Sequence, residues 1–285
     1  MTRAILSILI CLSAFTNAYA IQSTIMDSEG YACMGEDKSR KQTEQTAMAD
    51  AKRNAVEYAI TYVKSETKVK DLTIEEDMIK AYSNASVKVL EVKQSLWYKD
   101  ERSGDCVKTK IKAEVIPDEK AVKEVVAGRL GSDNPGLPLL VRIWTDKEKY
   151  QKGDRVRIYI KGNKPFYARV LYKDAKGDAL QILPNPYRKE NYFNGGVIYE
   201  IPSGDDRFEL EVSPPFGEEH IILYTSTSPL GDISLAKEGG VYQVKTKEKD
   251  VGIKTRGVKI QETVESGRPQ ASEFFEDRMT IKTGR

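Results

Sequence analysis

The chain reads as an α+β N-terminal domain of order β-α-α-β-β-α, followed by an all-β immunoglobulin-like sandwich domain. Three observations predict that division. In the first half Ala47, Ala51, Ala55, Tyr58, Ala59 and Tyr62 recur at three- and four-residue spacing, the stripe of a helix that buries one face. From Leu139 to Tyr224 short alternating runs follow one another, broken at Tyr150-Gln-Lys-Gly153-Asp154, Leu183-Pro184-Asn185-Pro186 and Pro214-Pro215-Phe216-Gly217. Between the two lies Gly131-Ser-Asp-Asn-Pro-Gly-Leu-Pro138, with the breakers of an interdomain linker.

The expected boundaries are a signal peptide at 1–20, the α+β domain at 21–131, the linker at 132–138, the sandwich at 139–245 and a C-terminal extension at 246–285 packed on the sandwich. Arg3, the apolar run Ala4–Phe15 and Ala18-Tyr19-Ala20 make a cleavable secretory signal, cut near Ala20. That run is far short of the roughly 20 residues that span a bilayer, so no transmembrane segment is expected. Cys11 follows Ile10, where a lipobox wants a small residue, so a lipid anchor is disfavoured. The mature chain is therefore expected in the periplasm. Its formal charge of +2 argues against a nucleic-acid partner, which needs a strongly basic face.

In the first domain, Ser28–Met34 reads as a strand and Ser39–Val63 as a helix. Thr73 with Glu76 suggests a capping box opening a second helix, with Ile74, Met78, Ile79 and Tyr82 inward. Strands Ala85–Tyr98 and Asp105–Val115 follow, joined at Arg102-Ser-Gly104, and Pro117 opens a third helix through Arg129. Lys108, Lys110 and Lys112 share one face of their strand, read as a solvated sheet surface. Cys33 and Cys106 are an even pair in an exported chain, and one disulfide is the simplest reading. A metal site or a redox pair are the alternatives, the first short of ligands and the second lacking Cys-x-x-Cys spacing.

Ala51-Lys-Arg-Asn-Ala55, Lys80-Ala-Tyr82, Val89-Leu-Glu-Val92 and Gly104-Asp105 leading into Val107-Lys-Thr-Lys-Ile-Lys-Ala-Glu-Val115 are similar to the N-terminal domain of the flagellar H-ring protein T and related small envelope lipoproteins. The resemblance spans about residues 28–128. It implies a periplasmic assembly module without catalytic residues. A flagellar role is not implied, because the later domain order of that protein is absent.

The second half contains the runs Leu139–Ile143, Val156–Ile160, Phe166–Tyr172, Ala179–Leu183, Val197–Ile201, Phe208–Val212 and His220–Thr225, with a hairpin closed at Ala175-Lys-Gly177-Asp178. Pro184 and Pro186 cannot donate to a ladder, so that corner leaves the sheet. Tyr150-x-x-Gly153-Asp154, Leu183-Pro-Asn185, Asn191, Gly195-Gly196, Pro202 and Pro214-Pro-Phe-Gly217 resemble the bacterial envelope family called domain of unknown function 4384, over about residues 139–235. That resemblance implies an exported, sandwich-like module and transfers no functional residues. In the tail, Lys245, Lys247, Lys249, Lys254, Arg256 and Lys259 read as charges that keep an edge strand soluble, Ser272–Asp277 as a short helix and Arg278–Thr283 as a last strand.

Chemistry is sparse. His220 is the single histidine, so any general base or His-rich metal site depends on it. It is read as a surface or capped side chain. Asp205-Asp206, Glu75-Glu76-Asp77 and Glu218-Glu219 are sequence neighbours, which point apart and do not face each other across a cleft. No catalytic residue, metal site or cofactor is predicted, and the chain is expected not to be an enzyme. The candidate binding residues are Asn185, Tyr187, Arg188, Asn191, Tyr192 and Phe193, whose aromatics, amides and guanidinium suit a sugar or peptide. The competing reading makes the aromatics a cap on the sandwich core and the amides turn residues. The expected partner is an envelope protein or a cell-wall glycan. The sequence sets no oligomeric state.

Overall fold

A computed structural model describes residues 21–66, 72–122, 134–204, 206–257 and 271–285. The expected signal sequence, the third helix beyond Val122, linker positions 132–133, Asp205 and Lys259 lie outside them. Strand takes 45% of the chain and helix 21%, so the protein is mostly β.

The order begins β1 (Ile21–Cys33), α1 (Arg40–Glu66), α2 (Leu72–Ser83), β2 (Ser86–Asp100) and β3 (Gly104–Ile116). β1 is far longer than the Ser28–Met34 reading. Its first half, from Gln22 to Met26, is buried on both faces, so it lacks the alternation that marks a half-exposed strand. α2 starts at Leu72, which puts Thr73 inside the first turn and not ahead of it as a capping box needs.

The alanine stripe explains how α1 lies on β1. Ala47, Ala51, Ala55 and Ala59 are fully buried. The backbones come so close that a Cβ at Gly30 would stand 2.2 Å from Ala47 O and Ala51 N. Ser28 Oγ donates to Ala51 O at 2.8 Å, so the helix is tied to the strand where small residues let it settle. Met26, Ile111, Ala113, Val115, Met78 and Tyr82 complete this core.

The second half continues with β4 (Val141–Thr145), β5 (Lys149–Gln151), β6 (Ile158–Gly162), β7 (Phe166–Lys173), β8 (Ala179–Leu183), β9 (Tyr192–Phe193), β10 (Tyr199–Ile201), β11 (Glu218–Ser226), β12 (Leu235–Glu238), β13 (Val241–Val244), α3 (Glu248–Thr255) and β14 (Ala271–Gly284). An eleven-stranded sheet runs β12-β13-β8-β7-β11-β14-β1-β3-β2, with β5 on β14 and β9 on β7, while β10-β6-β4 form a second sheet. Pairing is antiparallel except for β5 with β14. Ile143, Ile158 and Ile160 of the small sheet pack with Phe166, Val170, Leu223 and Phe275 of the large one.

β14 is where the chain departs most from the sequence reading. Ser272–Asp277 is strand and not helix. Phe274 joins a core with Ile25, Tyr224 and Val251, while Phe275 points the other way into the core between the sheets. A strand buried on both faces shows apolar neighbours in tandem, and periodicity cannot tell that from a helix. The segment 207–212 is not a full strand either, pairing through one bridge, Arg155 with Glu211, and the bonds Val156 N to Leu210 O at 2.8 Å, Val212 N to Asp154 O at 2.9 Å and Gly153 N to Val212 O at 2.9 Å.

Two buried ion clusters tie β14 to its neighbours. Arg256, just past α3, donates from Nε to Glu114 Oε1 at 2.6 Å and from Nη2 to Glu276 Oε2 at 2.7 Å, with its guanidinium over the Phe274 ring. Ser23 Oγ adds a bond to Glu114 Oε1 at 2.8 Å. Arg256 is therefore a buried tie between α3, β3 and β14, and not one of a row of solubilising charges. Glu273 accepts from Lys164 Nζ at 3.0 Å and from the backbone N–H of Leu139. Burial raises its carboxyl above the ordinary range, with Lys164 opposing. The lysines of β3 also differ from expectation. Lys108 and Lys110 reach Glu29 at 2.6 and 3.7 Å, and Lys112 is buried, which lowers its ammonium pKa.

Asp277, opposite Leu223 in the β14–β11 register, carries a measurable signature. Burial pushes its carboxyl up to about 6, and the backbone N–H of Arg278 offsets only part of that. The folded state thus holds this proton more tightly than the unfolded chain, whose carboxyl titrates near ~3.9. Stability then falls as pH rises through the window from ~4 to about 6, and stays lower above it. Replacing Asp277→Asn should raise Tm at pH 7 and leave it unchanged near pH 4. Parallel Tm-versus-pH curves for the two proteins would refute this.

Candidate functional site

The candidate residues sit where β8 leaves the sheet. Asn185 is buried and organises the turn: its Oδ1 accepts the backbone N–H groups of Tyr187 and Arg188, each at 2.8 Å, and its Nδ2 donates to Ile182 O at 2.8 Å. This is the backbone-mimicking role that short amides favour in turns, and it occupies the Asn185 amide oxygen and one of its two Nδ2 hydrogens. Arg188 Nη1 pairs with Asp206 at 2.9 Å and its guanidinium covers Phe193. Asn191 Nδ2 donates to Ala168 O at 3.2 Å. Phe193 is buried, stacked on Phe166 at 5.5 Å and edge-on to Tyr199 at 4.8 Å.

Four of the six residues therefore build the corner, and two stand out from it. Tyr187 is 55% exposed and Tyr192 53%. The structure does not bring those two together. Tyr192 tilts against Tyr167 at 5.0 Å, while Tyr187 lies beside Phe208, ring centroids 6.4 Å apart.

Tyr187 forms one wall of a cleft of about 290 Å³. Its other walls come from distant stretches: Gln181 and Ile182 on β8, Arg207 and Phe208 before the bridge segment, and Val241 at the β12–β13 turn. That turn needs glycine. Gly240 has φ 85°, and a Cβ there would stand 2.4 Å from Tyr187 Oη. The hairpin tip is thus fitted against the tyrosine. Gln181 Nε2 donates to Pro184 O at 2.6 Å, while its buried Oε1 has no protein donor. None of Gln181, Arg207, Phe208 and Val241 was singled out from sequence, because these three separated stretches share no local pattern with the Tyr187 loop.

The titratable side chains lining the cleft are Tyr187, Arg207 and Glu209, and Glu209 pairs with Arg155 at 3.2 Å. This set can hold a ligand by ring contact, hydrogen bonding and charge. His220 lies apart on β11, its Nδ1 3.1 Å from Thr280 Oγ1. Beside it, Glu219 accepts from Tyr172 at 2.6 Å and from Thr283 at 2.8 Å, and burial, reinforced by Glu219, pushes the Tyr172 phenol well above its ordinary range. Among the described residues no group of three His, Cys, Asp or Glu side chains could hold a metal ion. No described helix is long and apolar enough to cross a membrane.

Cys33 and Cys106 stand directly opposite in the β1–β3 register and form a disulfide, S–S 1.99 Å.

Neither curated proteins nor solved structures gave a match to this chain. Residues 149–229, which take in β5 through β11 and the Tyr187 and Arg207–Phe208 walls of the cleft, match the family described as Domain of unknown function (DUF4384).

Proposed function

We propose that this is an exported, non-enzymatic protein of the bacterial cell envelope that acts by binding, as an interaction or assembly module. The observation that carries the reading is the Cys33–Cys106 disulfide, which suits an oxidising compartment such as the periplasm. The signal pattern in residues 1–20 points the same way. In this reading residues 21–131 are an assembly domain like that of the H-ring protein, residues 132–138 the linker, residues 139–245 an immunoglobulin-like sandwich and residues 246–285 an extension of it. Fractionation tests the proposal. The mature chain, starting near Ile21, should appear in the osmotic-shock fluid with both thiols blocked to alkylation. Recovery of uncleaved, fully alkylatable chain in the cytoplasm would refute it.

A second reading, a glycan-binding module, is favoured by the exposure of Tyr187 at the cleft. Aromatic rings beside polar groups suit the apolar face and hydroxyls of a sugar. If it holds, titration with chitotriose should saturate, and Tyr187→Ala should weaken binding at least about tenfold. Tyr192→Ala, equally exposed but outside the cleft, should leave it unchanged. Equal losses from both substitutions would remove the cleft from the account.

A further inference from the structure

β2 is the outer strand of the eleven-stranded sheet, and its two halves are built differently. From Ser86 to Lys93 the ladder to β3 is interrupted by two irregularities, at Val89/Glu91 and Val92/Gln94. Bulges and lysines such as Lys88 and Lys93 are the usual protection of a sheet edge. From Gln94 to Asp100 the ladder carries no irregularity, and Lys99 is the one lysine. Pairing to β3 is regular, from Gln94 opposite Lys110 to Asp100 opposite Gly104, and Tyr98 lies opposite the disulfide-bonded Cys106. This stretch also carries apolar side chains in water: Leu96 is 52% exposed and Tyr98 40%. A regular edge with exposed apolar residues is a template for another strand.

Going beyond the proposed function, we infer that Gln94–Asp100 pairs antiparallel with the same segment of a second copy of this chain, about a two-fold axis at Trp97. The register follows from the sequence of the edge. A two-fold axis perpendicular to the sheet keeps like faces together, so only registers centred on a residue qualify. Centring on Leu96 sets Lys93 against Lys99 of the other copy. Centring on Tyr98 sets Leu96 against Asp100. Centring on Trp97 sets each Leu96 against the other copy's Tyr98, Ser95 against Lys99 and Gln94 against Asp100, with no like charges opposed. Each exposed apolar residue then covers another. On the helix side, Trp97 is already held by Glu44 at 3.1 Å and lies under the Arg40 guanidinium, so the central residue enters the pair with its rotamer fixed.

The experiment is sedimentation equilibrium of the mature chain, with oxidised cysteines, up to about 100 µM. The expected result is a monomer–dimer equilibrium. Ser95→Lys, which sets lysine against Lys99 twice across the axis, should raise the dissociation constant about tenfold or more. Adding Lys99→Glu to that variant should restore the dimer, an outcome that loss of folding cannot mimic. Thermal melts should show both variants as stable as the parent. A parent that sediments as a monomer throughout, as expected if a strand of another protein fills this edge, would overturn the inference. So would a dimer indifferent to both substitutions.

Discussion

Arg256→Met should destabilise the protein by about 3–5 kcal/mol at pH 7 in urea unfolding, although it removes no residue from a surface. Arg256 is held by two carboxylates, Glu114 at 2.6 Å and Glu276 at 2.7 Å. Burial disfavours its guanidinium, but Glu114 and Glu276 outweigh that and hold its pKa above the ordinary value. Methionine would fill much of the volume over Phe274. What it leaves behind decides the outcome: Glu114 is only 1% exposed and would keep a charge with just the Ser23 hydroxyl to meet it. Adding Glu114→Gln to Arg256→Met removes the stranded charge and should recover a large part of the loss. A single variant within about 1 kcal/mol of the parent would show that the network is a bystander to stability. The same would follow from a double variant no better than the single.

Removing the disulfide by Cys33→Ser with Cys106→Ser should cost about 4 kcal/mol, mostly by freeing the unfolded chain. The two residues are 73 apart in sequence, and the loop they close contains α1, α2 and β2. In the folded state they are already neighbours across β1 and β3, so the native ladder needs little adjustment once the bond is gone. The midpoint in urea should drop in the variant, and the parent should fall to the same midpoint after full reduction. A loss well under about 1 kcal/mol would mean that the unfolded chain keeps β1 near β3 without the bond.

Much of this architecture could be read before any coordinates. The Asp105–Val115 run alternates cleanly, and the β2–β3 and Phe166–Leu183 hairpins are closed by glycines at positive φ, Gly104 and Gly177. The alanine stripe of α1 was equally plain, since small residues at helical spacing have few other uses. What escaped was whatever lost its period through burial on both faces. The first half of β1 and the Phe274-Phe275 stretch of β14 look like generic apolar sequence, and they are the strands that sit side by side. The Asn185–Asn194 loop taught a different lesson. Asn185, Arg188, Asn191 and Phe193 have the chemistry of a binding site and spend it on their own backbone and core. Only tertiary structure distinguishes those uses, and only it brings Gln181, Arg207 and Val241 to Tyr187.

The position of β14 has a consequence for how the molecule comes to exist. The last strand in sequence lies between the first strand and β11, so it is the piece through which the two groups of strands meet. Until it arrives, β1 and β11 each offer a bare flank of unsatisfied amides, and Ile25 and Tyr224 lack their shared aromatic neighbour, Phe274. Assembly of the whole therefore waits on residues 271–284, whatever the speed of the earlier steps.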